Sequence, residues 1–115
     1  MLNQQPTFDA MFHALADAGR RSMVDRLSMG PASVKELARP LAMSLPAVLQ
    51  HLKVLEDSGL VTSRKEGRVR MCALDKTAMR RAEDWFAGRR AMWEQHLDRL
   101  EAFLAETETK QGDQT

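Results

Sequence analysis

Two serines, Ser33 and Ser44, each stand where a helix can open, and Pro40 between them halts the first helix before the second begins. Glu36 follows Ser33 at the spacing that lets hydroxyl and carboxylate each satisfy an orphan amide at a helix start. Leu37 and Leu41 give this helix an apolar edge, but Pro40 lacks an amide hydrogen and its ring crowds the preceding turn. A short helix is therefore expected, followed by a turn at Ala42 and Met43. Ser44 can cap the next helix, whose early Pro46 costs little because first-turn amides have no partner within the helix. Val48, Leu52 and Leu55 then recur at helical spacing as one inward stripe, which leaves Leu45, Pro46, Leu49, Gln50 and Lys53 facing outward.

Gly59 ends the second helix with the residue most tolerant of a left-handed backbone, and Leu60 to Lys65 carry the valine and threonine of a strand. Glu66 and Gly67 are read as the turn. Arg68 to Leu74 return, with Val69, Met71 and Ala73 alternating against Arg70, Cys72 and Leu74. Arg64, Lys65, Arg68 and Arg70 against the single acid Glu66 give this hairpin about three net positive charges. The expected fold is mostly α with a β-hairpin wing: a winged helix-turn-helix, dimeric, with a long C-terminal helix. A helix fits the major groove and a cationic hairpin suits phosphate, so double-stranded DNA is the expected partner.

The remaining chain reads as helix. Phe8, Met11, Phe12 and Leu15 form a short amphipathic helix, and Asp17 can cap another in which Met23, Val24 and Leu27 turn inward before Gly30 and Pro31 stop it. Asp75 can cap a long helix of about 45 Å in which Met79, Ala82, Phe86, Trp93, Leu97, Leu100 and Leu104 recur as one stripe. That exceeds what a small domain covers with its own surface. A second copy is therefore expected to cover part of it, and Phe8, Met11, Phe12, Phe86, Trp93, Leu97 and Leu100 are the expected dimer residues. The alternative folds Trp85, Phe86 and Trp93 back on their own core. With 115 residues and 43% apolar content, one domain over residues 1–105 is expected, with residues 106–115 a disordered polar tail.

A-L-A-D-A-G-R-R from Ala14, S-V-K-E-L-A from Ser33, S-L-P-A-V-L-Q-H-L-K-V-L-E-D-S-G-L-V from Ser44 and the G-R-V-R hairpin from Gly67 together resemble the ArsR family of bacterial transcriptional regulators. The resemblance spans roughly residues 8 to 75. It implies a dimeric winged-helix repressor that binds a short inverted repeat and releases it when an inducer arrives. Relatives usually carry small polar or basic residues where this chain has Leu49 and Gln50, which implies a changed operator preference. Gln50 can read adenine, Leu45 and Leu49 can touch thymine methyls, and Ser44 can bond a phosphate or base edge. For the two leucines, packing against the preceding helix stands as the alternative. Ser33, Pro46 and Lys53 complete the reading surface, while Arg64, Lys65, Arg68 and Arg70 flank the duplex with Arg68 nearest the tip.

Net charge is only +1, so the case for DNA rests on where charge lies rather than on its total. No nucleophile, base and orienting group cluster and no glycine-rich phosphate loop exists, so no catalytic residue is assigned and an enzyme is not expected. Metal sensing in this family needs cysteine pairs or His and carboxylate clusters. Here the long helix offers only His96 near Glu94 and Asp98, and His13 and His51 read as structural, the latter beside the Val48 stripe. No metal or cofactor is expected, and no effector can be named. The single cysteine, Cys72, excludes an intramolecular disulfide and reads as a small buried hydrophobe, with a thiol-based redox regulator as the alternative. A second alternative is a protein-interaction module using Leu45 and Leu49. The absence of a membrane-length apolar run or a signal-like start makes a cytoplasmic location the expectation.

Overall fold

The computed structural model describes the backbone of residues 8–113. Helix α1 spans Phe8–Leu15 and α2 spans Ala18–Leu27, with the Asp17 carboxylate accepting from the Arg20 amide at 3.0 Å as N-cap. The Arg20 guanidinium reaches back to carbonyls at the end of α1, donating to Ala14 at 2.6 Å and His13 at 3.2 Å. One residue thus helps open one helix and close another. Strand β1 is Ala32–Ser33, and α3, Val34–Ala38, begins with the full capping box: Ser33 Oγ accepts from the Glu36 amide and Glu36 Oε1 from the Ser33 amide, both at 3.2 Å.

Pro40 acts as expected. Regular α structure stops at Ala38 and gives way to a 3-10 turn over Arg39–Leu41, after which Ala42 takes φ +50° to turn the chain. Helix α4 spans Leu45–Asp57, capped by Ser44 Oγ accepting from the Ala47 amide at 3.3 Å, and Gly59 leaves it at φ +85°. Strands β2, Val61–Glu66, and β3, Val69–Leu74, form the hairpin, and β3 lies between β2 and β1 in a three-stranded antiparallel sheet. Helix α5, Lys76–Asp113, starts where the Asp75 carboxylate accepts from the Ala78 amide at 2.9 Å.

The core gathers Met11 and Ala14 from α1, Met23 and Leu27 from α2, Leu37 from α3, Val48, Leu52 and Leu55 from α4, and Leu60, Val61 and Cys72 from the sheet region, all buried. This core belongs to one compact unit ending at Arg80. The rest of α5, residues 81–113, belongs to a second unit.

Four details differ from the sequence reading. The hairpin turn sits on Gly67 and Arg68, because Glu66 pairs across the strands with Val69, and Gly67 supplies the positive φ of +65° that a tight hairpin needs at its first central position. Strand β1 went unread, its two residues being too short to show alternation. Met11, expected at a dimer surface, is 1% exposed and fills the core instead. Helix α5 continues past residue 105 to Asp113 where a disordered tail was expected, and the Thr107 and Thr109 hydroxyls donate to the Phe103 and Ala105 carbonyls one turn earlier. Its 38 residues amount to about 57 Å of helix.

Candidate nucleic-acid interface

On α4 the two faces separate as the spacing dictates. Val48, Leu52 and Leu55 are buried, whereas Ser44, Leu45, Pro46, Leu49, Gln50 and Lys53 are exposed. Leu45 is 45% and Leu49 39% exposed, so each keeps part of its surface in solvent even though α3 packs against α4. Lys53 pairs with Asp57 at 3.1 Å across one helical turn, with both side chains mostly in solvent. Such a pair contributes little and gives way readily to a phosphate. The hydroxyl of Ser33 is engaged by its capping box in a half-buried position, and the residue also pairs with Met71 at the sheet edge. That capping bond uses the hydroxyl as an acceptor.

His51 does not sit inside the apolar stripe it neighbours. Its Nδ1 lies 3.4 Å from Arg20 Nη1 and 3.8 Å from Asp17 Oδ2, tying α4 to the start of α2. The Asp17 carboxyl is held below its ordinary 3.8 chiefly by the Arg20 amide, with the His51 and Arg20 charges adding to this against a desolvation penalty. A side chain at the Gly19 position would meet Asp17, Met43 and His51 within 3.1 to 3.3 Å, so glycine is what admits this approach.

On the wing, the four cations divide into two kinds. Arg64 pairs with Glu66 at 2.7 Å, and Arg70 turns inward to Glu56 at the end of α4 at 2.5 Å, where Ser63 Oγ donates to the same carboxylate oxygen. Lys65 and Arg68 have no ion-pair partner among the described residues and are exposed. Sequence reasoning had no signal for Glu56 or Ser63, because their contact joins residues far apart in the chain. Cys72 is fully buried beneath this group, with Ser63 Oγ 3.6 Å from its sulfur. Burial pushes the Cys72 thiol up from its ordinary value, and the Ser63 bond and Arg70 charge only partly oppose that. The thiolate that redox chemistry requires is thus disfavoured.

No group of three or more His, Cys, Asp or Glu side chains that could hold a metal ion occurs among the described residues, and no helix there is long and apolar enough to cross a membrane.

A capped helix with an exposed outer face, set behind a short helix and turn and flanked by a hairpin with free cations, defines a DNA-binding winged helix-turn-helix regulator. A family model described as a helix-turn-helix domain matches residues 15–64. The HTH-type transcriptional regulator Rv2034 of Mycobacterium tuberculosis is 51% identical over 71 residues, a match covering 62% of this chain and 66% of that protein. The crystal structure of the ArsR family transcriptional regulator RHA00566 is 46% identical, with a TM-score of 0.69 over 75% of this chain and 94% of that one. The solution structure of the homodimeric winged helix-turn-helix domain Mb0332 from Mycobacterium bovis, a possible ArsR-family regulator, is 27% identical with a TM-score of 0.59, covering 77% of this chain and 80% of that one. The chain belongs to the ArsR family of transcriptional regulators.

Proposed function

We propose that this regulator acts in the cytoplasm as a repressor, binding an inverted-repeat operator as a homodimer and keeping other proteins off the DNA it covers. The observation that carries the reading is the exposed outer face of α4, where Ser44, Leu45, Pro46, Leu49, Gln50 and Lys53 stand clear of the core, together with the exposed Lys65 and Arg68 of the wing. In the major groove, Gln50 is the side chain able to donate to and accept from one adenine, while Leu45 and Leu49 suit thymine methyls. Ser44 opens the helix whose amino end attracts phosphate. Lys65 and Arg68 neutralise phosphates and add affinity without base preference. The dimer is supported by the exposed Phe86, Trp93, Leu97 and Leu100 of α5 and by the homodimeric state of the Mycobacterium bovis domain, with the exposed Phe8 and the half-buried Phe12 of α1 proposed as further dimer residues. Two copies would present their reading helices about 34 Å apart, one turn of DNA.

The test is binding to duplexes from the region upstream of the chain's own coding sequence. Gln50→Ala is expected to change which base is preferred at one position of each half-site, and Arg68→Ala to weaken all sequences alike while lowering the salt slope by about 0.9. If both variants bind as the parent does, the docking is wrong. A protein-interaction surface at Leu45 and Leu49 would instead show no salt-dependent DNA binding at all.

A further inference from the structure

We infer that Glu56 is a positioning residue for DNA binding: it braces the wing against the reading helix by holding Arg70 and Ser63, and Arg70 serves that brace rather than a phosphate. This rests on the DNA-docking reading above.

Three elements meet at one carboxylate oxygen. Glu56 comes from the last turn of α4, Ser63 from β2 and Arg70 from β3, and Oε1 of Glu56 accepts from both partners. An acid at that end of a helix is disfavoured by the carbonyl dipoles, so Glu56 needs a cation to offset its placement. The strand register makes the converse case for Arg70, which lies directly opposite Lys65. Two like charges opposed across a hairpin repel each other. Glu56 neutralises one of them and leaves Lys65 without an ion-pair partner among the described residues. The contact is also the polar link between the helix that reads bases and the hairpin that grips the backbone, and it is only partly solvated, with Glu56 26% and Arg70 40% exposed.

The brace makes a prediction of opposite sign to simple electrostatics. Removing a negative charge near the duplex should strengthen binding if Glu56 acts only through its field. If Glu56 is a brace, Glu56→Ala weakens binding by about tenfold because the wing loses its fixed position. The experiment titrates the full chain against a labelled duplex from its own upstream region over a range of salt. Arg70→Ala is expected to lose affinity with its salt slope unchanged, whereas Lys65→Ala lowers the slope by about 0.9. The doubly substituted Glu56→Arg, Arg70→Glu protein, with the pair reversed and net charge kept, is expected to regain most of the affinity that either single change loses. Tighter or unchanged binding by Glu56→Ala, or a slope loss in Arg70→Ala matching that of Lys65→Ala, overturns the inference.

A second readout needs no DNA. Amides from Thr62 to Ala73 should exchange hydrogen faster in Glu56→Ala than in the parent while the amides of α2 stay protected. Unchanged exchange overturns the brace whatever the duplex does. A parent that binds no duplex in dilute salt overturns the DNA reading itself.

Discussion

Asp17 shows how one side chain can couple local and distant structure. Its carboxylate caps α2 through the Arg20 amide at 3.0 Å and also stands 3.8 Å from His51 on α4. The amide bond from Arg20 is the largest cause of its lowered pKa, ahead of a desolvation effect of opposite sign and the smaller pull of His51 and Arg20 charge. A folded-state pKa below the unfolded one means stabilisation that is complete above the unfolded value and is lost as pH falls through the folded one. Melting temperature should therefore drop as pH is lowered below about 4, and Asp17→Asn, which keeps a capping oxygen without a titrating proton, should flatten part of that drop. Parallel melting curves for parent and variant over that range would remove Asp17 from the account. The caps at Asp17, Ser33 and Ser44 were legible in the sequence because each bond closes within three residues. The His51 to Asp17 and Arg70 to Glu56 contacts were not, because residue spacing carries no information about which distant elements come together.

Among the elements, α4 is the one whose buried stripe and exposed face the sequence separated, and they should separate in experiment. Leu52 is fully buried and Leu49 is 39% exposed, though they are neighbours on one helix. Leu52→Ala is expected to cost about 2 to 5 kcal/mol of stability through the lost burial and the cavity left behind. Leu49→Ala should cost well under half as much in a denaturant titration, yet weaken DNA binding where Leu52→Ala, at temperatures where it stays folded, leaves the contact face intact. Equal stability losses would mean that Leu49 is packed and the outer face misassigned. Periodicity served less well in α1, where it marked Met11 as apolar but not what would cover it. In the hairpin, the turn moved by one residue because the pattern of alternation is the same whether Glu66 or Arg68 accompanies Gly67. Cross-strand pairing of Glu66 with Val69 decides it. Helix α5 outran its expected end because Glu106 to Thr109 contain neither proline nor glycine, and neither polarity nor the single Gly112 is enough to stop a helix.

For the molecule as a whole, a net charge of +1 provides little long-range attraction to DNA beyond what the wing cations supply locally, so the proposed dimer matters because it would double a small contact surface. Phe86, Trp93, Leu97, Leu100 and Leu104 along α5 are each more than half exposed, and a single chain gains nothing by showing water so much apolar surface in one stripe. Trp93 and Leu97 lie at the middle of that stripe, where a partner would exclude water most fully, and central aromatic residues dominate such interfaces. Trp93→Asp or Leu97→Asp is expected to shift the protein to monomer in sedimentation at micromolar concentration while leaving the melting of the winged unit nearly unchanged, because neither side chain belongs to its core. Loss of the dimer should reduce affinity for a duplex carrying two half-sites far more than for a duplex carrying one, since only the paired site depends on the second reading helix. A monomeric variant that still prefers the paired site by the parent's margin would show that the two half-sites are not read together, and that the α5 stripe has some other occupant.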